Sequence, residues 1–324
     1  VANKAGVSTM TVSRVINGKS GVHPATRAKV QRAIEKVNYQ PNIFARNLSG
    51  QRSYQILMLY SNPNIGWMGE LMIGVMNACS DTGYQLSIQE IGSLDKQAFK
   101  SHVSPQELKG RIDSSLIDGI ILPPPICFDQ TVLNAIKARG IPCVRIASTP
   151  MLGFKMRVNI DNCAAGYEIT SHLINLGHRN IAIIKGPGGY IAATLRYEGF
   201  VAAMRDHGLD VPDSNVTTGS FDLQSGNACA RALLSQEKRP TAIFASNDEM
   251  AAGALAAAQE AKIDVPEQLS IAGFDDAHIA ESVWPPLTTI RQPLKKMGVK
   301  SVELLADYLK HKQVDPDTPK PSGL

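Results

Sequence analysis

Short apolar runs recur along the chain from residue 55 onward, and they alternate with longer segments in which apolar residues return every three or four positions. The runs predict buried strands, and the periodic segments predict amphipathic helices. A first set of predicted strands covers 56–60, 86–88, 119–122 and 143–146, and a second set follows 158–160 and covers 181–184, 216–218, 242–245 and 269–274. Helices are predicted at 69–81, 106–116, 131–139, 193–207, 223–234 and 249–261, and one more helix follows 158–160 and ends at 176.

Strands that are apolar on both faces and alternate with helices are typical of parallel sheets covered by helices. The two sets therefore predict two similar α/β subdomains with a ligand cleft between them. In such sheets, ligands bind beyond the carboxyl ends of the strands. Arg196, Asn247 and Asp275 each lie just beyond an apolar run or at the start of the helix after it. We expect the parallel topology to bring these three residues together at one sheet edge.

The first residues of the chain show only helical periodicity. Gly6 separates the end of one helix from a short second helix, which Ser8 is placed to cap. The second helix has an apolar inner face of Val12, Val15 and Ile16, and an outer face of Met10, Ser13, Arg14 and Asn17. This pattern predicts a helix-turn-helix, whose second helix reads the major groove of DNA. An ordinary αα-hairpin is the alternative.

A third predicted helix, over 24–37, closes a three-helix head. The following segment, 43–50, offers barely two helical turns, and a helix of that length is unstable alone in water. It exposes Phe44, Ala45 and Leu48 with little to bury them. We therefore expect this segment to be a linker, or to fold when a partner covers its apolar face.

Charge is distributed unevenly along the chain. The net charge is +4 overall, yet residues 1–53 contain nine Lys or Arg and one acidic residue, Glu35, for a net charge of +8. The remaining residues contain 24 basic and 28 acidic side chains, for a net charge of −4. A basic head on a mildly acidic body is typical of a nucleic-acid-binding module joined to another domain. A merely solvated basic surface does not explain why one end carries the whole excess.

Composition argues against several other classes of protein. The hydrophobic fraction of 44% fits a soluble globular chain, and no apolar run approaches the roughly 20 residues that span a membrane. The five cysteines are scattered and lack a C-x-x-C pair. We therefore expect reduced thiols in the cytoplasm, and neither disulfides nor a metal site.

The sequence contains no convincing catalytic motif. The glycine-rich segment 186–189 follows a predicted strand, but it has neither the G-x-G-x-x-G spacing nor a Walker lysine. Asp275 and Asp276 are adjacent, so in an extended chain they point to opposite faces and form no acid/base pair by themselves. We expect a protein that is not an enzyme and that needs no cofactor.

Two groups of motifs occur in a fixed order and cover nearly the whole chain. The first group resembles the DNA-binding head and hinge of the LacI/GalR transcription regulators: Ala5-Gly6-Val7-Ser8, Thr11-Val12-Ser13-Arg14-Val15, Asn17-Gly18, Tyr39-x-Pro41-Asn42 and Ala45-Arg46-x-Leu48. The second group resembles the effector-binding core of the same family: Leu176-Gly177-His178-Arg179-x-Ile181-Ala182, Gly186-Pro187, Arg196-x-x-Gly199-Phe200, Ser246-Asn247-Asp248-x-Met250-Ala251-x-Gly253, Gly273-Phe274-Asp275-Asp276 and Pro286-Leu287-Thr288-Thr289-Ile290.

The resemblance implies an α/β protein with an all-α amino-terminal head. The head and a hinge helix would precede two doubly wound parallel-sheet subdomains of periplasmic-binding-protein type. The boundaries that we expect are 1–40 for the helix-turn-helix head, 41–53 for the hinge, 54–157 with 291–324 for one effector subdomain, and 158–290 for the other.

The resemblance also implies how the head would bind DNA. The second helix would enter a major groove, and paired hinge helices would enter the minor groove between the heads, where Leu48 would wedge into a base step and bend the duplex. Thr9 and Met10 would vary the sequence preference, and Arg14 would contact a base edge or a phosphate. The full set of expected DNA contacts is Ser8, Thr9, Met10, Thr11, Ser13, Arg14, Asn17, Asn42, Ala45, Arg46 and Leu48.

In the cleft, the resemblance implies ligand contacts by Arg196, Asn247 and Asp275. These side chains suit a polyhydroxylated ligand, because Asp accepts from hydroxyls, Arg donates a planar fork and Asn does both. The family often places an aromatic residue that stacks on a sugar face at the position of Phe221, and Trp67 and Trp284 are further candidates for the wall. The alternatives are a structural ion pair for Arg196 and an ordinary core position for Phe221.

The protein is thus interpreted as a ligand-responsive, homodimeric transcriptional repressor of the cytoplasm that binds a palindromic operator in double-stranded DNA and takes a sugar or sugar derivative as effector. It would have no membrane partner. A purine-responsive, co-repressed regulator of the same fold is the main alternative, because Arg and Asp also suit a base. A solute-binding protein is a further alternative, but it would have no use for the basic head.

Overall fold

The structure, a computed structural model, describes residues 1–16, 20–37, 53–61, 64–95, 100–113, 116–147, 149, 151 and 153–314. The chain divides into two units, Val1–Ser53 and Tyr54–Leu324.

The first unit contains the helices α1 (Ala2–Ala5), α2 (Thr9–Ile16) and α3 (Pro24–Lys36). Gly6 ends α1 in the left-handed conformation, with φ 59°, and the Ser8 hydroxyl accepts a hydrogen bond from the backbone N–H of Thr11 at 3.2 Å. The three helices share a small core of Ala5, Val12, Val15, Val30 and Ala33. The predicted helix-turn-helix and its cap are confirmed.

The second unit begins with a parallel sheet whose strand order is β2-β1-β5-β6-β7. Its strands are β1 (Gln55–Tyr60), β2 (Gln85–Glu90), β5 (Gly119–Leu122), β6 (Cys143–Ile146) and β7 (Met156–Val158). Between β2 and β5 the chain forms an antiparallel hairpin of β3 (Ser93–Asp95) and β4 (Lys100–His102). The helices of this part are α4 (Ile65–Thr82), α5 (Pro105–Asp113) and α6 (Gln130–Ala138).

A second parallel sheet follows, with the strand order β12-β11-β10-β8-β9. Its strands are β8 (Ile181–Lys185), β9 (Val216–Thr218), β10 (Ala242–Ala245), β11 (Ser270–Asp275) and β12 (Thr288–Arg291). Its helices are α7 (Asn162–Asn175), α8 (Ile191–Asp206), α9 (Leu223–Leu234), α10 (Asp248–Glu260) and α11 (His278–Ser282). The predicted pair of α/β subdomains is confirmed.

After β12 the chain returns to the first sheet as α12 (Leu294–Val314). This helix packs tightly against α4: a side-chain carbon on Gly74 would lie 2.1 Å from the carbonyl oxygen of Lys295, and one on Gly298 would lie 2.4 Å from that of Leu71. Leu305 and Val302 of α12 are fully buried in the core of the first sheet. The two glycines are therefore required for the close approach of these helices.

The structure differs from the predicted elements at a few places. α4 begins at residue 65, four positions before the predicted start, because the Asn64 side chain caps it by accepting a hydrogen bond from the Trp67 N–H at 3.0 Å. The hairpin of β3 and β4 was not predicted, nor was β12. Their side chains are mostly partly or fully exposed, so they lack the apolar runs that mark the central strands.

Candidate ligand-binding site

Side chains from the two sheets meet at the carboxyl edges of the strands and enclose a cavity of about 350 Å³, its open mouth included. The first sheet contributes residues that follow β1 and β5: Asn64, Trp67 and Pro124. The second sheet contributes residues that end or follow its strands: Tyr190, Arg196, Phe221, Asn247, Asp275 and Gln292. This is the edge at which parallel α/β sheets bind ligands.

Arg196 is the buried cation of the cavity, with 4% of its surface exposed. Its Nε donates to Asn162 Oδ1 at 2.9 Å, and its Nη1 donates to the carbonyl oxygen of Ser246. The guanidinium carbon lies 3.6 Å from the centroid of the Phe274 ring, a cation–π arrangement. Burial lowers the pKa of Arg196, and the nearby Asp275 carboxylate opposes that shift.

Asp275 faces Arg196 across the floor of the cavity, with 3.8 Å between its Oδ1 and Arg196 Nη1. Gln292 donates to the same carboxylate oxygen through Nε2 at 2.5 Å. The backbone of Asp275 has φ 122°, a conformation that residues other than glycine rarely adopt. Burial raises the pKa of Asp275 to about 6, against the opposing effect of Arg196. The strained backbone and the burial of the carboxylate both cost folding free energy, and they hold Asp275 in the lining of the cavity, where a ligand can reach it.

The neighbouring acidic residues have other tasks. Asp248 is fully buried and accepts hydrogen bonds from Ala277 N at 2.7 Å and Thr289 Oγ1 at 2.6 Å. Burial raises the pKa of Asp248 to about 7, with a further contribution from Asp275. Asp276 turns away from the cavity and pairs with the exposed Arg291. Asp275 and Asp276 therefore point in different directions, as predicted.

An aromatic wall closes one side of the cavity. Phe221, with φ 61°, lies over Gly186, where a side-chain carbon would come within 2.1 Å of its ring. The Phe221 ring meets the Tyr190 ring edge to face, with 5.5 Å between centroids. Asn247 accepts from Met250 N and donates to the Phe221 carbonyl oxygen, both at 3.1 Å. Asn247 thereby fixes the start of α10 and the position of Phe221.

Five of the six expected ligand residues lie in this cavity: Arg196, Asn247, Asp275, Phe221 and Trp67. The placement of Trp284 in the wall is corrected by the structure. Trp284 is absent from the lining and 80% exposed, because it follows α11 on the outside of the subdomain, where its carbonyl oxygen accepts from Gln259 Nε2.

The remaining lining residues were not expected from the sequence: Asn64, Pro124, Tyr190 and Gln292. The first three follow strands that the apolar runs predict, so their position after a strand could have identified them. Gln292 follows β12, which has no such run and was not predicted.

The expected DNA contacts fall into two groups. Ser8, Thr9, Met10, Thr11, Ser13 and Arg14 lie on α2 or at its cap, and all of them are exposed except Thr11, which is half-buried. Met10 is 67% exposed. Asn17, Asn42, Ala45, Arg46 and Leu48 lie outside the residues that the structure describes.

Among the helices described, none is long and apolar enough to cross a membrane. Within the same ranges of the chain, no group of three or more His, Cys, Asp or Glu side chains is arranged to hold a metal ion. The cysteines are free thiols, and Cys79, Cys127 and Cys143 are buried.

Comparison with known protein families gives two matches along the chain. Residues 1–42 match the model described as bacterial regulatory proteins, lacI family. Residues 170–323 match the model described as periplasmic binding protein-like domain.

Individual proteins match over nearly the full length. The ribose operon repressor of Escherichia coli (strain K12) is 35% identical over 98% of this chain and 92% of its own. A solved complex of the transcriptional regulator CelR with cellobiose is 31% identical, with a TM-score of 0.71, and the match covers 96% of this chain and 92% of that one. The lac repressor dimer bound to operator and the anti-inducer ONPF is 26% identical, with a TM-score of 0.73, over 97% and 92% of the two chains.

Proposed function

Because this chain belongs to the LacI family of bacterial regulatory proteins, we propose that it is a DNA-binding transcriptional repressor whose affinity for its operator is controlled by a sugar or sugar derivative. One observation carries the proposal. A single chain joins a helix-turn-helix, with an exposed polar face on α2, to a cavity that holds a buried Arg196 and Asp275 between two sheets.

The chemistry of the cavity favours a polyhydroxylated ligand. Asp275 accepts hydrogen bonds from hydroxyl groups, Arg196 donates them, and Gln292 can do both. Trp67 and Phe221 offer apolar faces to the carbon-bound side of a sugar ring. CelR, a relative of similar fold, has been solved in complex with cellobiose.

We test the choice of ligand by calorimetry of the full chain with a panel of sugars and with purine bases and nucleosides. We expect binding of at least one sugar and none of the purines. Binding of a purine without any sugar would favour the alternative of a purine-responsive, co-repressed regulator. Operator duplexes selected from a random pool test the DNA-binding part, since a solute-binding protein would select none.

Ligand control of DNA binding follows from the position of the cavity. Trp67 belongs to the first sheet and Asp275 to the second, so a ligand that contacts both favours one arrangement of the two subdomains over another. We propose that this arrangement sets the spacing of the two 41–53 segments of a dimer, and that these segments pair in the minor groove with Leu48 as the wedge. The ligand would shift a two-state equilibrium only by its difference in affinity for the two states.

The repressor would act as a homodimer on a palindromic operator, since each head reads one half-site. Lac repressor, a structural relative, has been solved as a dimer on its operator. The chain has exposed large apolar side chains that a second copy can cover: Ile73 and Met76 of α4, and Trp284 after α11. We assign these residues to the dimer contact.

Substitution of Arg14 by Ala is expected to lower operator affinity about tenfold. An arginine that contacts a base edge contributes roughly 1–3 kcal/mol of discrimination, and about 1.4 kcal/mol is one decade. The measurement is fluorescence anisotropy with the selected duplex. Lys300→Ala is the matched control, because it also removes one exposed cation from a helix, but in the other unit. Equal losses in both variants would show that only the total charge matters.

Sugar binding is expected to strengthen about tenfold between pH 5 and pH 7.5. The hydroxyls of a ligand donate best to an ionised carboxylate, and with a pKa of about 6 only about a tenth of the Asp275 carboxyls are ionised at pH 5. Calorimetry across this interval measures the effect, and Asp275→Asn should show none. A dependence that persists in Asp275→Asn would assign the titration to another group, such as Asp248.

The ligand-free protein should respond to pH in the opposite sense. The folded state binds the protons of Asp275 and Asp248 more tightly than the unfolded chain does, because burial raises both pKa values. These two groups therefore add their full contribution to the free energy of unfolding below about pH 4. That contribution is lost as the pH rises to about 7. Thermal unfolding at several pH values measures this change.

A further inference from the structure

A second, larger cavity opens at the same edge of the sheets as the ligand-binding cavity. It encloses about 1450 Å³, its open side included. Its lining comes from β4 and the two residues after it, from the segment that joins β5 to α6 and the start of α6, and from the loop after β8. We call it the outer cavity and define it by Ser101, His102, Phe128, Gln130, Thr131 and Gly189.

The outer cavity and the ligand-binding cavity share a wall. Pro124 lines the ligand-binding cavity and the next residue, Pro125, lines the outer one; Tyr190 and Gly189 are divided in the same way. Across this wall the rings of Phe128 and Tyr190 meet edge to face, with 6.2 Å between centroids. The two spaces are therefore neighbours separated by single residues.

The frame of the outer cavity is held by hydrogen bonds within the protein. Asp129 Oδ1 accepts from Thr131 N at 2.9 Å and Val132 N at 3.1 Å, and so caps α6. Its other oxygen accepts from the buried Ser101 hydroxyl at 3.3 Å, which ties the hairpin to the start of α6. The cavity is thus preformed, and a ligand would not have to order its walls.

Phe128 forms an apolar platform inside this frame. The guanidinium carbon of the buried Arg145 lies 5.8 Å from the centroid of the Phe128 ring. Arg145 also donates from Nε to the carbonyl oxygen of Cys127 at 2.8 Å and from Nη1 to that of Thr149 at 3.0 Å. Arg145 thereby fixes the turn that carries Phe128, which remains half-buried at the edge of the cavity.

The groups around this platform are polar but nearly balanced in charge. Gln130 provides an amide, Thr131 a hydroxyl and His102 an imidazole. Lys100 contributes one positive charge and Asp129 one negative charge, whose oxygens are already bonded to the protein. An aromatic platform with amide and hydroxyl groups and no excess charge suits an uncharged sugar better than a phosphate or a nucleotide.

We propose that the outer cavity is a subsite for a second sugar unit, so that the effector is a disaccharide or a longer oligosaccharide. This inference rests on the proposed sugar-responsive function. The ligand-binding cavity takes one ring between Trp67 and Phe221, and the linked ring lies in the outer cavity against Phe128. The glycosidic link passes over the shared wall on the side where both cavities are open. A purine or a single sugar in the ligand-binding cavity would not occupy the outer cavity.

The test compares monosaccharides with disaccharides built from them. Calorimetry of the full chain uses glucose with cellobiose and maltose, galactose with lactose and melibiose, and ribose. We expect one disaccharide to bind at least tenfold more tightly than its constituent monosaccharide. Gln130→Trp, which fills the outer cavity from the start of α6, should weaken that disaccharide about tenfold and leave the monosaccharide unchanged.

Two further variants make the outcome decisive. His102→Trp fills the same cavity from the opposite hairpin and should reproduce the effect of Gln130→Trp. Asn134→Trp places the same side chain at an exposed position of α6 outside the lining and should change nothing. Equal affinity for monosaccharide and disaccharide, or equal weakening of both by Gln130→Trp, overturns the second subsite alone. Failure of every sugar to bind overturns the proposed function as well.

Discussion

Removal of residues 1–53 is expected to abolish operator binding, with a loss of at least about a thousandfold, while sugar binding and dimerisation persist. The removed unit carries a net charge of +8, and the remainder carries −4. Phosphate contacts by basic side chains provide a large share of DNA affinity through the release of counterions, and specific contacts add a factor of roughly 10³ or more. The truncated protein lacks both the phosphate contacts and the specific contacts.

The unit Tyr54–Leu324 keeps its own cores after this removal, since the buried clusters of both sheets lie within it. The test is anisotropy with the operator duplex, together with calorimetry and analytical ultracentrifugation of the truncated protein. Sugar affinity equal to that of the full chain and a dimeric mass are the controls for folding. Operator binding that survives the truncation would show that DNA recognition lies in the other unit.

Asp275→Ala is expected to shift the sugar concentration that elicits a response by about thirtyfold or more, with operator binding intact. A hydrogen bond to a charged group contributes roughly 1.5–3 kcal/mol, and about 1.4 kcal/mol is one decade. Ligand hydroxyls lose such an acceptor in Asp275→Ala. The loss of the carboxylate 3.8 Å from Arg196 lowers the stability of the folded chain instead.

Asp276→Ala is the matched control for this variant. It removes the adjacent carboxylate, which pairs with the exposed Arg291 outside the cavity, and it should leave the response to sugar unchanged. A response of Asp275→Ala at the wild-type sugar concentration would remove Asp275 from the ligand site. Thermal unfolding separates the remaining case, because a variant that no longer folds would show that the carboxylate serves the fold.

The central strands of both sheets could be predicted from the sequence. The bounds of β5, β6, β9 and β10 agree with the predicted strands residue by residue. Three of these, β5, β6 and β10, are buried along their whole length, and strands covered on both faces appear in the sequence as uninterrupted apolar runs. The helix-turn-helix could also be predicted, because the turn at Gly6, the cap by Ser8 and the apolar face of α2 are local features of the sequence.

The edges of the fold could not be predicted in the same way. The hairpin of β3 and β4 is polar and largely exposed, and β12 has no apolar run, so neither shows the pattern of a buried strand. The return of α12 to the first sheet depends on close contact with α4 at Gly74 and Gly298. That contact joins segments more than 200 residues apart, and periodicity carries no information about such pairs.

Some residues of the candidate site could likewise be predicted from the sequence, and others were found only in the tertiary structure. The resemblance to the LacI/GalR family pointed to Arg196, Asn247 and Asp275, and their positions just beyond buried parallel strands predicted that they lie together at one sheet edge. Only the tertiary structure placed Gln292 beside them, left Trp284 on an exposed surface, and showed that Asn247 holds Phe221. The physical reason is that a sequence pattern records which residues are buried within one element, whereas distances between side chains of different elements are set by how the sheets and loops pack together.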